Sequence, residues 1–468
     1  MSDLGWPLRR AERLYGQGVA FSHSYRELAD RLSRLDLAPG TRVGFLGMNT
    51  RAHAEAWLGV PAAGGVMVSL NYRLAPEELR FIAEDAELAF LISDQDVDLG
   101  VPRADWEELV SGPPVAPRDF APDTLAAISY TGGTTGRPKG VMLSHGNLLA
   151  NAQHNLAATG HRADQRWLHV CPMFHVAGIA NLIACTWVGA EQVLLPRFDA
   201  AAVLETIERE RITHTVLVPT MLAMLLDAPG ADAADLSSLR HVQYAASPIS
   251  AELQARVLDR LPDCDVAQFY GMTEAAPTVT HLTPEDHRHG GERLGSVGRP
   301  VPGVEIDIRD GELWIRGPNV MQGYWRRERE TADALVDGWY RSGDLVAEDE
   351  HGYVYVIDRA KDMIVSGGEN VYSLEIEATL LRHPAVAEAA AFAVPDDRWG
   401  EAVHAVVTPR EPVTADALLD HCRAHIAGFK VPREIELRDE PLPKSGPGKV
   451  LKTALREPFW EGRERRVN

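Results

Sequence analysis

The sequence predicts an α/β protein. A large N-terminal domain of helix-covered, mostly parallel sheets with a β-rich subdomain is followed by a small α+β C-terminal domain. Two observations carry this. Through the first half of the chain, short β-branched runs alternate with helix-like segments, the pattern of parallel strands joined by crossover helices. From about residue 300 hairpin signals take over. After Asp358 the order becomes helix, strand, strand, helix, strand, helix over about 110 residues. The predicted division is therefore 1–358 and 359–468.

The elements follow in chain order. RVGFLG, with its core at 43–47, reads as a strand, and AHAEAWLGVPAA as a helix. VMVSL, LAFLI, AAISY, WLHVC, QVLLP, HTVLV and HVQYA are further strands, with PEELRFIAEDA and AAVLETIERE as helices between them. A loop follows AAISY, and SHGNLLANAQHNL then opens a helix with Ser144 or His145 near its cap. VEIDIRDGELWIRG reads as a hairpin around Asp310-Gly311, and GYVYVID as another strand. There is no internal repeat and no low-complexity tract.

Composition narrows the function classes. Apolar content of 45% and charged content of 24% suit a globular protein large enough for two or more domains. A formal net charge of -20 disfavours nucleic acid or an anionic membrane as partner, since both reward clustered Lys and Arg. Cysteines 171, 185, 264 and 422 lie far apart with no CxxC spacing, so reduced, buried thiols in a cytoplasmic protein are expected rather than disulfides or zinc. The start, MSDLGWPLRRAERLYGQ, lacks the apolar run of a signal peptide. WLGVPAAGGVMVSL is too short to span a bilayer, so no integral membrane association is expected.

The stretch SYTGGTTGRPKGVMLSHGN (129–147) concentrates chemistry. Four glycines, three threonines and Lys139 fall within 131–140. Glycine backbone can fold around an anion, threonine hydroxyls can meet phosphate oxygens or a metal, and the lysine adds a mobile positive charge. An ordinary turn-rich surface loop has the same composition. The stretch matches neither Walker A nor GxGxxG, which argues against a P-loop ATPase or a dinucleotide fold.

Further pieces appear along the chain: PMFHVAG (172–178), AASPIS (245–250), QFYGMTE (268–274), YRSGD (340–344), DRAKDMIVSGGENVYSLEIE (358–377) and PKSGPGKVLK (443–452). With YTGGTTGRPKG they resemble, in order, the signatures of the adenylate-forming enzymes: acyl- and aryl-CoA ligases, peptide-synthetase adenylation domains and luciferases. The resemblance covers most of the chain. It implies ATP-dependent activation of a carboxylic acid to an acyl adenylate with release of pyrophosphate. Transfer to the thiol of coenzyme A follows, with ATP, Mg²⁺ and coenzyme A as cofactor and substrates.

Two anions must meet in such a reaction, so the site must neutralise charge and hold geometry. By the resemblance, the β- and γ-phosphates fall to Thr131, Gly132, Gly133, Thr134, Thr135, Gly136 and Lys139. Thr273 contacts the α-phosphate and Glu274 holds Mg²⁺. Tyr270, beside Gly271, stacks on adenine, with Ala245, Ala246 and Ser247 as the pocket wall. Asp344 accepts the ribose hydroxyls, and Arg359 reaches the ribose from the other side. Ala245 departs from the glycine often found there and would trim the acyl pocket.

All six lysines (139, 361, 430, 444, 449 and 452) lie in or beside these signatures, whereas the 41 arginines are spread over the whole chain. Codon bias with chance survivors gives the same skew. Lys449 resembles the catalytic lysine that bridges the carboxylate and α-phosphate oxygens, a task suited to a compact ammonium. Lys361 falls at the family's hinge, about which the small C-terminal domain turns between half-reactions. Gly367 and Gly368 then let the thiol tunnel run close to backbone.

IAGFKVPR (426–433) resembles the segment that meets the CoA nucleotide. Phe429 would stack, and Lys430 and Arg433 would meet phosphates; a solvated basic turn is the other reading. His175 stands at the acyl site or is a satisfied core histidine. The acyl-pocket candidates His175, Val176, Gly178, Met221, Ala245, Met272, Ala275 and Ala276 are mostly small or apolar, which suits an aliphatic or aromatic acid. Two alternatives stay open: another acceptor (a carrier-protein thiol, an amine or a small inorganic acid such as nitrite) and a nucleotide-binding scaffold without catalysis. The expected partners are the acid, ATP and CoA, with a homodimer as one assembly to test.

Overall fold

The computed structural model describes residues 3–131, 138–247, 249–360, 362–366, 369–396, 399–444 and 450–461. The chain divides into two compact units. One is Met1–Ile306 with Ile315–Tyr340, and the other is Asp307–Trp314 with Arg341–Asn468.

The larger unit holds two sheets. In the nine-stranded one, Asp265–Gly271, His241–Ala245, His214–Leu217, Arg166–His169 and Glu191–Leu194 run parallel in that spatial order, and Thr278–Leu282 pairs antiparallel with Asp265–Gly271. In the six-stranded one, Leu125–Thr131, Val66–Leu70, Arg42–Leu46 and Phe90–Ser93 are parallel neighbours. All eight strands predicted from β-branched runs in the first half are therefore present, and pair in parallel as the alternation requires.

Helices cover the nine-stranded sheet. Val203, Leu204 and Ile207 of helix Ala200–Glu210 and Leu222 and Leu225 of helix Pro219–Leu226 pack on Leu217, Val242, Tyr244 and Val266. Burying each such aliphatic side chain contributes about 1.5–3 kcal/mol. On the opposite face, Cys185 of helix Val176–Val188 meets Trp167 and Val216.

The reading of 129–147 needs one correction. Between the loop and the helix the chain forms another strand, Lys139–Ser144, antiparallel to Leu125–Thr131. A strand therefore stands between the glycine-rich stretch and the helix, where the sequence reading joined the two directly. The glycine and hydroxyl content of that stretch masked the alternation of KGVMLS. Ser144 does cap helix His145–Thr159: its Oγ accepts from Asn147 N, and Asn147 accepts from Ser144 N.

In the smaller unit, Asp310 (φ 51°) and Gly311 (φ 80°) form the predicted hairpin turn, with two consecutive left-handed residues as a type I′ turn requires. Beyond Asp358 the predicted order holds, with an addition. A short pair, Ile364–Ser366 against Glu369–Val371, precedes the helix Ser373–Leu381. Three-residue strands are too short to show a period. The long strands Val386–Asp396 and Gly400–Pro409 pair antiparallel, and Glu434–Leu437 joins the latter in parallel.

All four cysteines are free, as expected, although Cys264 is only partly buried. Burial pushes the thiols of Cys171 and Cys264 up to about 12 and that of Cys422 to about 11; that of Cys185 is raised by the same cause. Among the described residues no helix is long and apolar enough to cross a membrane.

Candidate active site

In the larger unit, the C-terminal ends of two parallel strands meet a tight turn, the usual place for a ligand crevice in such sheets. Strand Asp265–Gly271 ends on Tyr270 and Gly271, and a turn of 3-10 helix, Thr273–Ala275, follows. A Cβ on Gly271 would lie 1.7 Å from the Pro277 carbonyl oxygen, so only glycine lets the chain double back there. Met272 N donates to that oxygen at 3.0 Å. The fully buried Asn319 donates from Nδ2 to the carbonyls of Ala275 (2.7 Å) and Thr278 (2.9 Å), which ties both sides of the turn together.

This turn sets the half-buried Glu274 beside two groups from other elements. Its Oε1 accepts from the hydroxyl of Tyr324 at 3.0 Å. The Lys139 ammonium lies 5.1 Å from the centroid of the same tyrosine ring. Burial first, and the Glu274 charge second, hold the Tyr324 phenol well above its ordinary value, so it stays a donor. Carboxylate, phenol and ammonium thus form one group. Sequence reasoning found Glu274 and Lys139 and missed Tyr324, which lies 50 residues beyond Glu274 in GYW; an aromatic there carries no signal of its own. Thr131 pairs with Lys139 on the neighbouring strand, and its Oγ1 faces the Lys139 carbonyl at 3.4 Å. Gly132, Gly133, Thr134, Thr135 and Gly136 lie outside the described residues.

Ala245 ends the neighbouring strand, opposite Phe269. Ala246 adopts a left-handed conformation (φ 75°) that alanine rarely takes, and it is exposed, with Ser247 partly buried beside it. His175 is the N-terminal flanking residue of helix Val176–Val188. Its Nε2 is buried with no hydrogen-bond partner, and burial pushes the imidazole down to about 3, so it is neutral. A Cβ on Gly178 would lie 2.3 Å from the Pro172 carbonyl oxygen, which explains the glycine. Val176, Ala275 and Ala276 are buried, and Met221 and Met272 are partly so.

In the smaller unit, strands Trp339–Glu348 and Val354–Arg359 pair Asp344 with Arg359. The Arg359 Nε is 3.1 Å from Asp344 Oδ1, and Asp344 is 4% exposed. Asp358 accepts from the backbone N–H groups of Arg359 (2.7 Å) and Ser373 (2.5 Å) and from Ser373 Oγ (2.9 Å). Lys452 completes this cluster, with Nζ 2.6 Å from Ser373 Oγ and 2.7 Å from Glu377 Oε1. Burial raises the carboxyls of both Asp358 and Glu377, and Lys452 opposes it.

Three lysines of the signatures thus pair with carboxylates of their own chain: Lys452 with Glu377, Lys444 with Glu388, and Lys430 with both oxygens of Glu375 at 2.8 Å. Their presence in the motifs has a structural side that the lysine count alone concealed. Phe429 is 49% exposed, with Lys430 Nζ 5.8 Å from its ring centroid, and the Arg433 guanidinium lies 5.6 Å from the Trp399 ring. Lys361, Gly367, Gly368 and Lys449 lie outside the described residues.

Comparison with known proteins adds the following. Residues 20–325 match the family model "AMP-binding enzyme", and 375–449 match "AMP-binding enzyme C-terminal domain". A feruloyl-CoA synthase of Amycolatopsis sp is 39% identical, over 97% of this chain and 98% of that one. A fatty acid--[acyl-carrier-protein] ligase of Streptomyces coeruleorubidus is 36% identical, over 97% and 94%. The o-succinylbenzoate CoA synthetase of Bacillus subtilis, solved with its acyl-adenylate intermediate, superposes with a TM-score of 0.85 at 31% identity, covering 96% of this chain and 97% of that one.

Proposed function

The chain belongs to the AMP-binding enzymes, and from this we propose that it is an AMP-forming acid–thiol ligase. It joins a carboxylic acid to the α-phosphate of ATP, expels pyrophosphate, and passes the acyl group to the thiol of coenzyme A. The observation that carries the reading is the Glu274–Tyr324–Lys139 group at the end of a parallel strand. It brings an oxygen ligand for a hard cation and a mobile ammonium to one place, which is what a triphosphate needs. Glu274 would hold Mg²⁺, whose chemistry is to neutralise phosphate charge. Tyr324 donates to Glu274 and so orients it.

The remaining assignments rest on the motifs. Lys139, Thr131 and the glycines after it receive the outer phosphates, and Thr273 the α-phosphate. Tyr270 and the Ala245–Ser247 wall hold adenine. Asp344, braced by Arg359, takes the ribose hydroxyls. Lys449 bridges the two reacting anions, and the domain from 359 onward turns about Lys361 before the thiol attacks. Phe429, Lys430 and Arg433 meet CoA; Lys430 must then exchange Glu375 for a phosphate. A cytoplasmic location suits the free thiols, and sedimentation will decide on a homodimer.

Pyrophosphate exchange and AMP formation over a panel of carboxylic acids, with and without CoA, test this. At least one acid should support exchange that EDTA abolishes, and CoA should then yield a thioester. ADP as product, or exchange indifferent to EDTA, would overturn the chemistry. Acyl adenylate that never passes to CoA would move the acceptor to a carrier-protein thiol or another nucleophile.

A further inference from the structure

Gln243 is a buried amide that the chemistry above does not use. It is 1% exposed and lies two residues before Ala245 on strand His241–Ala245, so both side chains lie on one face of the sheet. Its flanking partners on that face are apolar, Val216 on one neighbouring strand and Ala267 on the other. Its Oε1 accepts from Asn181 Nδ2 at 3.0 Å, while its own Nε2 is buried with no hydrogen-bond partner. A buried N–H left unpaired is costly, and native proteins keep few of them.

Asn181 fixes the place. It is 3% exposed and sits on helix Val176–Val188, one turn beyond Gly178. The amide pair therefore lies one step deeper than Gly178 and Ala245, between the same helix and the same strand. If those two line the acyl pocket, the pair forms its floor, at the end remote from the reacting carboxylate.

The pair does not stand alone. Asn181 Oδ1 is 3.2 Å from His161 Nε2, and His161 Nδ1 is 3.0 Å from Gln165 Oε1. Burial lowers the His161 imidazole, which favours the neutral ring. A neutral ring has one N–H, yet amide oxygens face both nitrogens, so one amide must present its NH₂ instead. If Gln165 turns, Gln243 offers an N–H at the floor. If Asn181 turns, Gln243 must follow and offers its carbonyl. A hydroxyl group, both donor and acceptor, satisfies either arrangement.

We propose that Gln243, oriented by Asn181 and His161, is a specificity-determining residue that receives a hydroxyl at the far end of the acyl substrate. The preferred acid then carries a hydroxyl group remote from its carboxylate. The inference rests on the ligase reading and names the substrate class of that same site.

Matched acids test it: cinnamic against 4-hydroxycinnamic, and hexanoic against 6-hydroxyhexanoic, in pyrophosphate exchange. The wild type should favour the hydroxylated member of at least one pair in kcat/KM by about tenfold or more. Gln243→Met, of similar length and without the amide, should bring that ratio close to one, as should Asn181→Leu. Because the readout is a ratio within one enzyme, a partial loss of folded protein does not imitate it. Should Gln243→Met fail to fold, the wild-type ratio and Asn181→Leu still decide. Exchange with acids of both kinds at equal efficiency would overturn the inference and leave the ligase reading intact. Exchange with no acid at all would remove the ligase reading and this inference with it.

Discussion

Glu274 carries its neighbours' chemistry as much as its own. Its carboxylate accepts a hydrogen bond from a phenol that also lies under the Lys139 ammonium. Removing an oriented charged group from the place where transition-state charge develops typically costs about 10²–10³ in rate. Glu274→Gln should therefore lose pyrophosphate exchange to that degree. Tyr324→Phe keeps the ring beneath Lys139 and removes only the hydroxyl, so the expected loss is smaller, about tenfold, from one hydrogen bond to a charged group. The Mg²⁺ concentration for half-maximal exchange should rise with it. An unchanged Mg²⁺ dependence in Tyr324→Phe would show that the phenol does not orient the carboxylate. Glu274 and Lys139 were legible because each sits inside a dense local motif. Tyr324 was not, since only the fold brings 274 and 324 together.

Among the elements, strands and helices with a clear period were legible and the joints between them were not. Lys139–Ser144 was hidden in a glycine-rich stretch, and Ile364–Ser366 was too short to show a pattern. The Asp358–Ser373–Lys452–Glu377 cluster was equally hidden, because it joins the end of a strand, the first and second turns of one helix and the start of another. Its charges lie nearly out of water, so removing the cation leaves two carboxylates with less compensation. Lys452→Met should lower stability by about 3 kcal/mol, the low end for breaking a buried pair since a little exposure remains. Urea denaturation would measure it, and a change under about 0.5 kcal/mol, the ordinary surface value, would refute a structural role.

Across the whole molecule, a set of buried histidines is held in the neutral form. Burial pushes His214 and His241 down to about 3 and His53, His145, His169 and His281 down to about 4, against an ordinary value of 6.5. As pH falls below about 6.5 the unfolded chain takes up these protons and the folded one does not, so stability is full above that value and drains away toward pH 3–4. Asp358 and Glu377, held above the ordinary carboxyl range, pull the other way, but they are two against eight, since burial also pushes His154 down to about 4 and His175 to about 3. The melting temperature should fall steadily between pH 7 and 5 and change little between 7 and 8. A flat profile through pH 5 would contradict this.

The fold class was legible from the alternation of elements. That Asp307–Trp314 packs with the C-terminal unit was not, because the pairing of its hairpin with the strand Trp339–Glu348 leaves no local trace. The quiet thiols have a practical consequence. With all four cysteines protonated at neutral pH, and three of them buried, the native protein should be nearly invisible to a coloured disulfide reagent. The partly buried Cys264 should react slowly at most, whereas denaturant should reveal four equivalents. Coenzyme A would then supply the fast signal in the cuvette, and its disappearance could be followed optically while the enzyme turns over.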